Sequence, residues 1–357
     1  MTHSKSEIPA LIVALGLTAA VVGAGVWWLR DSDLLRGDTP SPEATSQPEE
    51  DSSGNVPPQP DNKQAAPSAF SQVSGVPGGR FEYGGSTTWA PVRGAVDPLI
   101  QQIFPSFDLA YKDPSGQAAG SGSGIQMLID GELDFAQSSR PLTDDEKQRA
   151  QQQGLSLQEV PVALEAVAIA THPDLSIPGV TLDQLKDIYT GSITNWNQVG
   201  GPNLPVVPAS RGDVGGTVQY FQETVLDGQA FAANIRRLPN TTEALRFVGD
   251  TPGAIYFASA PEVVGQCTVA PIPIGTSAEQ LIPPYREPYV PPQDCPTRRN
   301  QINLNALANK TYPLTRPLYV VFSDADKSSQ AGDAYAQLLQ TEEGQNLLDQ
   351  VGFVPIR

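Results

Sequence analysis

The sequence predicts an α/β protein folded into two lobes, and three observations lead there. The chain has 357 residues, more than one ordinary domain needs, and its first part does not read as globular. Hydrophobic residues make up 39%, enough for an α/β core. Most informative, a strand-like apolar run leads three times into a glycine–hydroxyl turn and then an amphipathic stretch.

The elements follow in order. Ala10 to Leu29 reads ALIVALGLTAAVVGAGVWWL, without a charge. About twenty such residues, at roughly 1.5 Å each, match the roughly 30 Å hydrocarbon core of a bilayer. Trp27 and Trp28 fall where an interfacial aromatic belt would sit. No A-x-A cleavage pattern stands near the end of the run, and no cysteine is placed there for a lipid. Residues 1–30 are therefore expected to be an uncleaved anchor rather than a removed signal peptide. Lys5 precedes the run while Arg30 and Arg36 follow it, so the positive-inside count does not choose a side. The domain that follows places the short amino terminus inside. From Asp31 to Val76 the chain is polar, acidic and rich in proline, including Pro40, Pro48, Pro57, Pro58 and Pro67. Such a segment cannot bury enough apolar surface to offset its ordering entropy, so 31–76 reads as a disordered tether.

Phe81 and Tyr83 then lead into GGSTTWAPVRGAVDPLIQQIF. Gly84 and Gly85 suit a tight turn, and Ser86, Thr87 and Thr88 suit helix capping before an amphipathic run to Phe104. In the second unit Gly120, Ser121, Gly122, Ser123 and Gly124 precede a helix from about Ile125 to Asp130. LDFAQSS follows as a strand ending at Ser138, Ser139 and Arg140. No Gly-Lys-Ser/Thr follows the glycines, which excludes a nucleotide P-loop. In the third unit Val206 and Val207 lead to Ser210, Arg211, Gly212 and Asp213, and Gly215, Gly216 and Thr217 open a helix. Free N–H groups and the dipole at a helix start attract anions. Arg211 adds a rigid fork of donors suited to an oxyanion, and Asp213 is placed to hold that fork.

Charge and side-chain inventory narrow the function. Lys+Arg total 22 against 39 Asp+Glu, a formal charge of −17, which excludes nucleic acid as a partner. A buried anion responds mainly to the donors that touch it, so an acidic exterior is compatible with anion binding. Cys267 and Cys295 are the two cysteines. Outside the cytosol an even count favours a disulfide, whereas in the cytosol two free thiols would be expected. Metal binding by this pair is disfavoured, because His3 and His172 are the only histidines and both lie far off in sequence. No cofactor is expected.

From about Gly79 to Arg357 the chain resembles the phosphate-binding proteins of ABC-type phosphate transporters, within the type II periplasmic binding-protein class. The stretches that carry the likeness are GGSTTWAP, GSGSGIQMLIDGELDFAQSSRPL, VPVALEAVAIATHPDL, QLKDIYTGSITNWNQVGG, ASRGDVGGT, YPLTRPLYVVF and EEGQNLLDQVGFVPIR. The resemblance implies a hinge and an interlobe cleft, with lobe one at 77–165 and 258–357 and lobe two at 166–257. By position it implies ligand contacts at Ser86, Thr87, Thr88, Ser123, Ser139, Arg140, Arg211, Gly215, Gly216 and Thr217. It implies an extracytoplasmic protein that captures phosphate for an ABC permease. Two departures bear on selectivity. One branch of the family carries an aspartate at the place of Ser139, where it accepts the ligand's proton, and a serine is common at the place of Gly215.

Two other readings compete with delivery of phosphate. A hydrolase would need a placed base, and His172, in the turn-like THPDL, is the only imidazole of the folded part. A membrane-anchored sensor or scaffold, or a binder of another oxyanion such as sulfate, would use the same cup.

Overall fold

The apolar runs between the glycine turns pair into one mixed sheet in the computed structural model, which describes residues 67–212, 215–324 and 327–356. The expected anchor over Ala10–Leu29 and most of the expected tether lie outside the described residues. Among the described residues, no helix is long and apolar enough to cross a membrane.

The first half contains β1 (Gly79–Gly85), α1 (Ala90–Ile103), β2 (Phe107–Tyr111), α2 (Ser121–Ile129), β3 (Phe135–Ser138), α3 (Asp144–Gln152) and the long β4 (Leu157–Thr171). Then come β5 (Val180–Thr181), α4 (Leu182–Thr190), β6 (Val207–Arg211), α5 (Gly216–Thr224), β7 (Arg236–Leu238), α6 (Thr241–Asp250) and β8 (Ala254–Ser259). The chain continues through α7 (Ala260–Val263), β9 (Ala270–Ile272), β10 (Ile274–Gly275) and α8 (Leu304–Ala308). It closes with β11 (Thr315–Ser323), α9 (Lys327–Leu339), α10 (Glu342–Gln350) and β12 (Val354–Pro355). The main sheet runs β2-β1-β3-β11-β4-β8-β6-β7, with β9 and β12 also paired to β4.

The arrangement is a two-lobed α/β fold, and β4 explains how one sheet serves two cores. Its first part pairs antiparallel with β11 and its last part with β8 and β9. Val162 and Ala163 pack into a core with Phe81, Trp89, Phe135 and Tyr335. Ala166 to Ala170 pack into another with Tyr189, Trp196, Phe221 and Phe257. The second core keeps the chain as far as Leu314, and the first regains it at Leu318. Val269, Ile272, Ile274, Leu307 and Tyr312 therefore pack with the second core. On the other face of the first sheet region, Ile125, Leu128, Ala136 and Val321 form a smaller cluster. Phe135 and Ala136 thus fall in different clusters, as the two-residue alternation of a strand requires.

Two local expectations are revised. Helix α2 starts at Ser121, not near Ile125, so the Ser-Gly stretch is its first turn. Glycine is a poor helix former, but contact overrides propensity here. A Cβ on Gly124 would lie 2.4 Å from the Cα of Gly85, so only glycine lets the helix touch the end of β1. The carboxyl end of the expected tether is also ordered, since Phe70 is fully buried and Val73 is 5% exposed. The Phe70 amide donates to Glu343 Oε2 at 2.8 Å. Two apolar side chains suffice to dock a stretch whose average composition is polar.

Cys267 and Cys295 form a disulfide with their Cα atoms 5.6 Å apart, 28 residues apart in sequence. The bridge closes the proline-rich excursion between α7 and α8, which contains β9 and β10. For a loop of that size the chain-entropy model gives about 3–4 kcal/mol.

Candidate functional site

Three helical starts meet where the two cores face each other, and their first turns carry the hydroxyls. β1 ends in Gly84 and Gly85, and Gly85 takes φ +123 with its virtual Cβ 2.3 Å from the Gln137 carbonyl. No side chain could stand there, so this glycine sets how closely β1 and β3 approach. The Ser86 amide donates to Gln137 O at 2.8 Å, and Trp89 Nε1 donates to Ser138 O at 3.0 Å. The turn Thr87–Trp89 is thereby pinned against the end of β3 before α1 begins.

The expectation that these hydroxyls cap the helix is not met. Neither the turn after Ser86, nor α2, nor α5 has a side-chain cap bond. By contrast, side chains of Thr143, Thr181, Asn240, Asn303 and Thr341 cap α3, α4, α6, α8 and α10. Five helices away from these starts are thus capped by side chains in the ordinary way, whereas the three inward starts are not.

The hydroxyls instead bond to one another, some within the first lobe and some across to the second. Ser86 Oγ donates to Ser139 Oγ at 3.0 Å, and the Ser139 amide donates to Ser121 Oγ at 3.1 Å. Thr88 and Thr217 bring their Oγ1 atoms to 3.5 Å. Arg211 Nη1 donates to Thr87 Oγ1 at 3.2 Å. A Cβ on Gly216 would lie 2.3 Å from Ser121 Oγ and 2.8 Å from Ser139 Oγ, so the start of α5 abuts the serines directly. Gly215 lies beside Arg211, whose Nη2 would stand 3.0 Å from a Cβ there. Of the residues proposed from sequence, Ser86, Thr87, Thr88, Ser139, Arg211, Gly215, Gly216 and Thr217 thus gather at one place. A cavity of about 380 Å³ opens beside Arg211, lined also by Ala118, Ala119, Gly212, Gly215 and Arg237. Asp213 lies outside the described residues.

Ser123 and Arg140 are placed differently. Ser123 Oγ donates back to Gly120 O at 3.0 Å, while Ser121, two residues earlier, meets Ser139. Arg140 is 3% exposed and its donors are engaged. Nη1 and Nη2 reach the two carboxylate oxygens of Glu146 at 2.9 and 2.7 Å, Nη1 also reaches Pro141 O, and Nε reaches Gln219 Oε1. Burial opposes charge on Glu146, but bonds from Arg140 and from Thr143 hold its carboxyl below the ordinary value. Arg140 therefore joins the Ser139 turn to α5, which carries Gln219.

Two residues that sequence reasoning did not assign stand at the centre. One is Ser121, for which the only signal was a second serine in SGSG. The other is Arg316, which lies within the quoted YPLTRPLYVVF without an assigned role. Arg316 is 2% exposed and sits across β11 and β4 from Glu165, itself fully buried. Its Nε donates to Glu165 Oε1 at 2.6 Å, and its Nη2 also meets that oxygen. Nη1 donates to Gly216 O at 3.0 Å, and Nη2 to Thr217 Oγ1 at 2.8 Å and Thr88 Oγ1 at 3.4 Å. Ser259 Oγ donates to the other oxygen of Glu165.

A further network backs the first turn. Arg93 Nη1 donates to Gln137 Oε1 at 2.8 Å and to Ser86 O at 3.4 Å, and Gln137 Nε2 donates to Tyr335 Oη at 3.1 Å. Tyr335 and Tyr83 both donate to Asp97, whose carboxyl is pushed up to about 6 by burial against the opposing bonds from the tyrosines. Among the described residues no group of three His, Cys, Asp or Glu side chains is placed to hold a metal.

The geometry has counterparts. The PBP superfamily domain model matches residues 64–343. The phosphate-binding protein PstS of Staphylococcus epidermidis is 26% identical over 266 residues, covering 72% of this chain and 75% of that protein. A Clostridium perfringens structure solved with bound phosphate superposes with a TM-score of 0.62 at 25% identity, over 78% of this chain and all of that one. An ABC-type phosphate transport receptor from Vibrio cholerae has the same fold, with a TM-score of 0.58 at 24% identity over 77% of this chain and 99% of that one.

Proposed function

This chain belongs to the PBP superfamily, and we propose that it binds inorganic phosphate between its lobes, outside the cytoplasm, and delivers it to an ABC transporter permease without catalysing a reaction on it. The observation that carries this reading is the set of three inward helical starts without side-chain caps, lined by hydroxyls. A dehydrated oxyanion needs many short donors, because every lone pair stripped of water must be satisfied again. Ser86, Thr87, Thr88, Ser139 and Thr217 offer hydroxyls, Gly215 and Gly216 offer backbone, and Arg211 offers charge. In this reading Ser123 and Arg140 hold the second turn in place behind them. Residues 1–30 tether the protein to the membrane and 31–66 give it reach. The relatives named above are phosphate binders by name, which supports phosphate over other oxyanions.

Titration calorimetry of the full chain, purified in mild detergent, with phosphate and then sulfate tests the reading. Arg211→Ala is expected to cost on the order of 2–5 kcal/mol of phosphate binding, the range for truncating one partner of a buried charged contact. Arg211→Lys should recover only part, since an ammonium cannot copy the fork. With Ser139 in place of a carboxylate, the protein should reject sulfate less strongly than the aspartate branch of the family does. Absence of heat with phosphate would overturn the assignment.

A further inference from the structure

Arg140 is fixed by groups of the first lobe. Its Nη1 and Nη2 hold the two carboxylate oxygens of Glu146 on α3, and Nη1 also reaches Pro141 O. Clamped there at 3% exposure, the guanidinium is carried by the end of β3 and by α3. Its Nε instead meets Gln219 Oε1 at 2.6 Å. Gln219 lies on α5, whose Val218 and Phe221 pack in the second core. Arginine nitrogens only donate, so the amide can meet Nε only with its oxygen. A charged donor makes such a bond short and strong.

This bond differs from two other contacts that join the lobes here. Arg211 reaches Thr87, and the Oγ1 atoms of Thr88 and Thr217 lie 3.5 Å apart. Those four side chains belong to the proposed anion site, so an arriving ligand competes for them. The Arg140–Gln219 bond uses none of the four. A separation of about 1 Å at this point stretches it to the limit of hydrogen bonding, so it lasts only while the lobes stand together.

Resting on the phosphate reading above, we propose that Gln219 is a positioning residue, which with Arg140 latches the lobes together and strengthens the hold of the cleft on any oxyanion without touching it.

A latch that stabilises the closed form acts by one factor on every ligand of that form, provided the ligand-free protein rests mainly open. Selectivity then stays with the hydroxyls and Arg211, while Gln219 governs how long the anion is kept. Gln219 is half-buried, so a replacement there does not empty a core.

The test uses the full chain in detergent, with calorimetry on inorganic phosphate and sulfate for affinity and a chase of radiolabelled phosphate for release. Gln219→Met keeps an unbranched side chain and a good helix former but lacks the amide oxygen. Losing a hydrogen bond to a charged group at a half-buried place should weaken phosphate binding about five- to thirtyfold. Sulfate should weaken by the same factor within about twofold, since neither anion touches the latch. The loss should appear as faster release, with association within about twofold of the wild type. Arg140→Lys keeps a cation for Glu146 and gives up Nε. Adding Gln219→Met to it should speed release no more than about twofold further, because both changes open the same latch. Release from Gln219→Met at the wild-type rate would overturn the proposal, as would multiplying effects in the double variant. A loss confined to one anion would make Gln219 a ligand contact and overturn it as well. The chase of Gln219→Met decides by itself if Arg140→Lys does not fold or the wild type rejects sulfate. A wild type that binds neither anion would instead remove the phosphate reading on which the latch stands.

Discussion

Arg140 and Arg316 are both buried arginines paired with buried glutamates, at 3% and 2% exposure, yet they leave the site with different things. The Arg140–Glu146 pair spans six residues, and Glu146 also takes the Thr143 amide in the capping box of α3. Glu146, Pro141 O and Gln219 engage both terminal nitrogens and Nε of the fork. The Arg316–Glu165 pair joins residues 151 apart across β11 and β4. One edge of that fork holds the carboxylate while the other reaches Gly216, Thr217 and Thr88. A carboxylate partner therefore neutralises an arginine without deciding its role. What decides it is which donors remain and where they point.

The largest effect that could break this comparison is loss of Arg316 itself. Arg316→Ala strands a fully buried carboxylate and is expected to cost about 3–5 kcal/mol in urea unfolding. Glu165→Gln in the same chain should return part of that cost, and no return would mean the ion pair is not the source.

Asp97 is the contrasting carboxylate, held by two tyrosine hydroxyls. Its value is raised from 3.8 to about 6. A raised carboxyl favours folding below its unfolded value, and that contribution is lost as pH rises through the folded value. Across the whole window from about pH 3 to about pH 7 the wild type should therefore lose about 3 kcal/mol relative to Asp97→Asn, at 1.36 kcal/mol per unit. Parallel unfolding curves across that range would remove the effect.

Glu146 has the opposite sign. Its lowered value favours folding above the unfolded value, with loss as pH falls through the folded one. Glu146→Gln is expected to cost about 1.5–3 kcal/mol near neutral pH, the worth of hydrogen bonds to a charged group. The difference from wild type should shrink in acid, and a constant difference would point to packing instead. The smallest effect separates the two serines of α2. Ser123→Ala should cost about 0.5–1.5 kcal/mol of stability for its bond to Gly120 and little phosphate affinity. Ser121→Ala should cost affinity first, and the reverse order in calorimetry would restore Ser123 as the ligand contact.

Legibility followed the range of the interaction. Gly84–Gly85, the SGSG stretch and Gly215–Gly216 mark turns in the sequence, and β1, α2, β3, β6 and α5 fall beside them. The use of the hydroxyls was misread, because Ser86, Thr87 and Thr88 are good capping types and nothing local says that Ser139, Arg211 and Thr217 will compete for them. The start of α2 was misread because glycine opposes helix, and the gain from touching Gly85 appears only after folding. Phe70 and Val73 were lost in the average of a polar segment.

By itself the sequence determined the α/β class, the glycine–hydroxyl turns and the oxyanion-suited residue types, because strand alternation, helix periodicity and glycine's freedom are properties of a few neighbouring residues. Tertiary structure alone decided that Arg316 meets Glu165 and then Thr217, and that Ser121 rather than Ser123 faces Ser139. The physical reason is that a donor's role is set by the acceptors left within about 3 Å of it, and these come from strands and turns that only the folded sheet brings together.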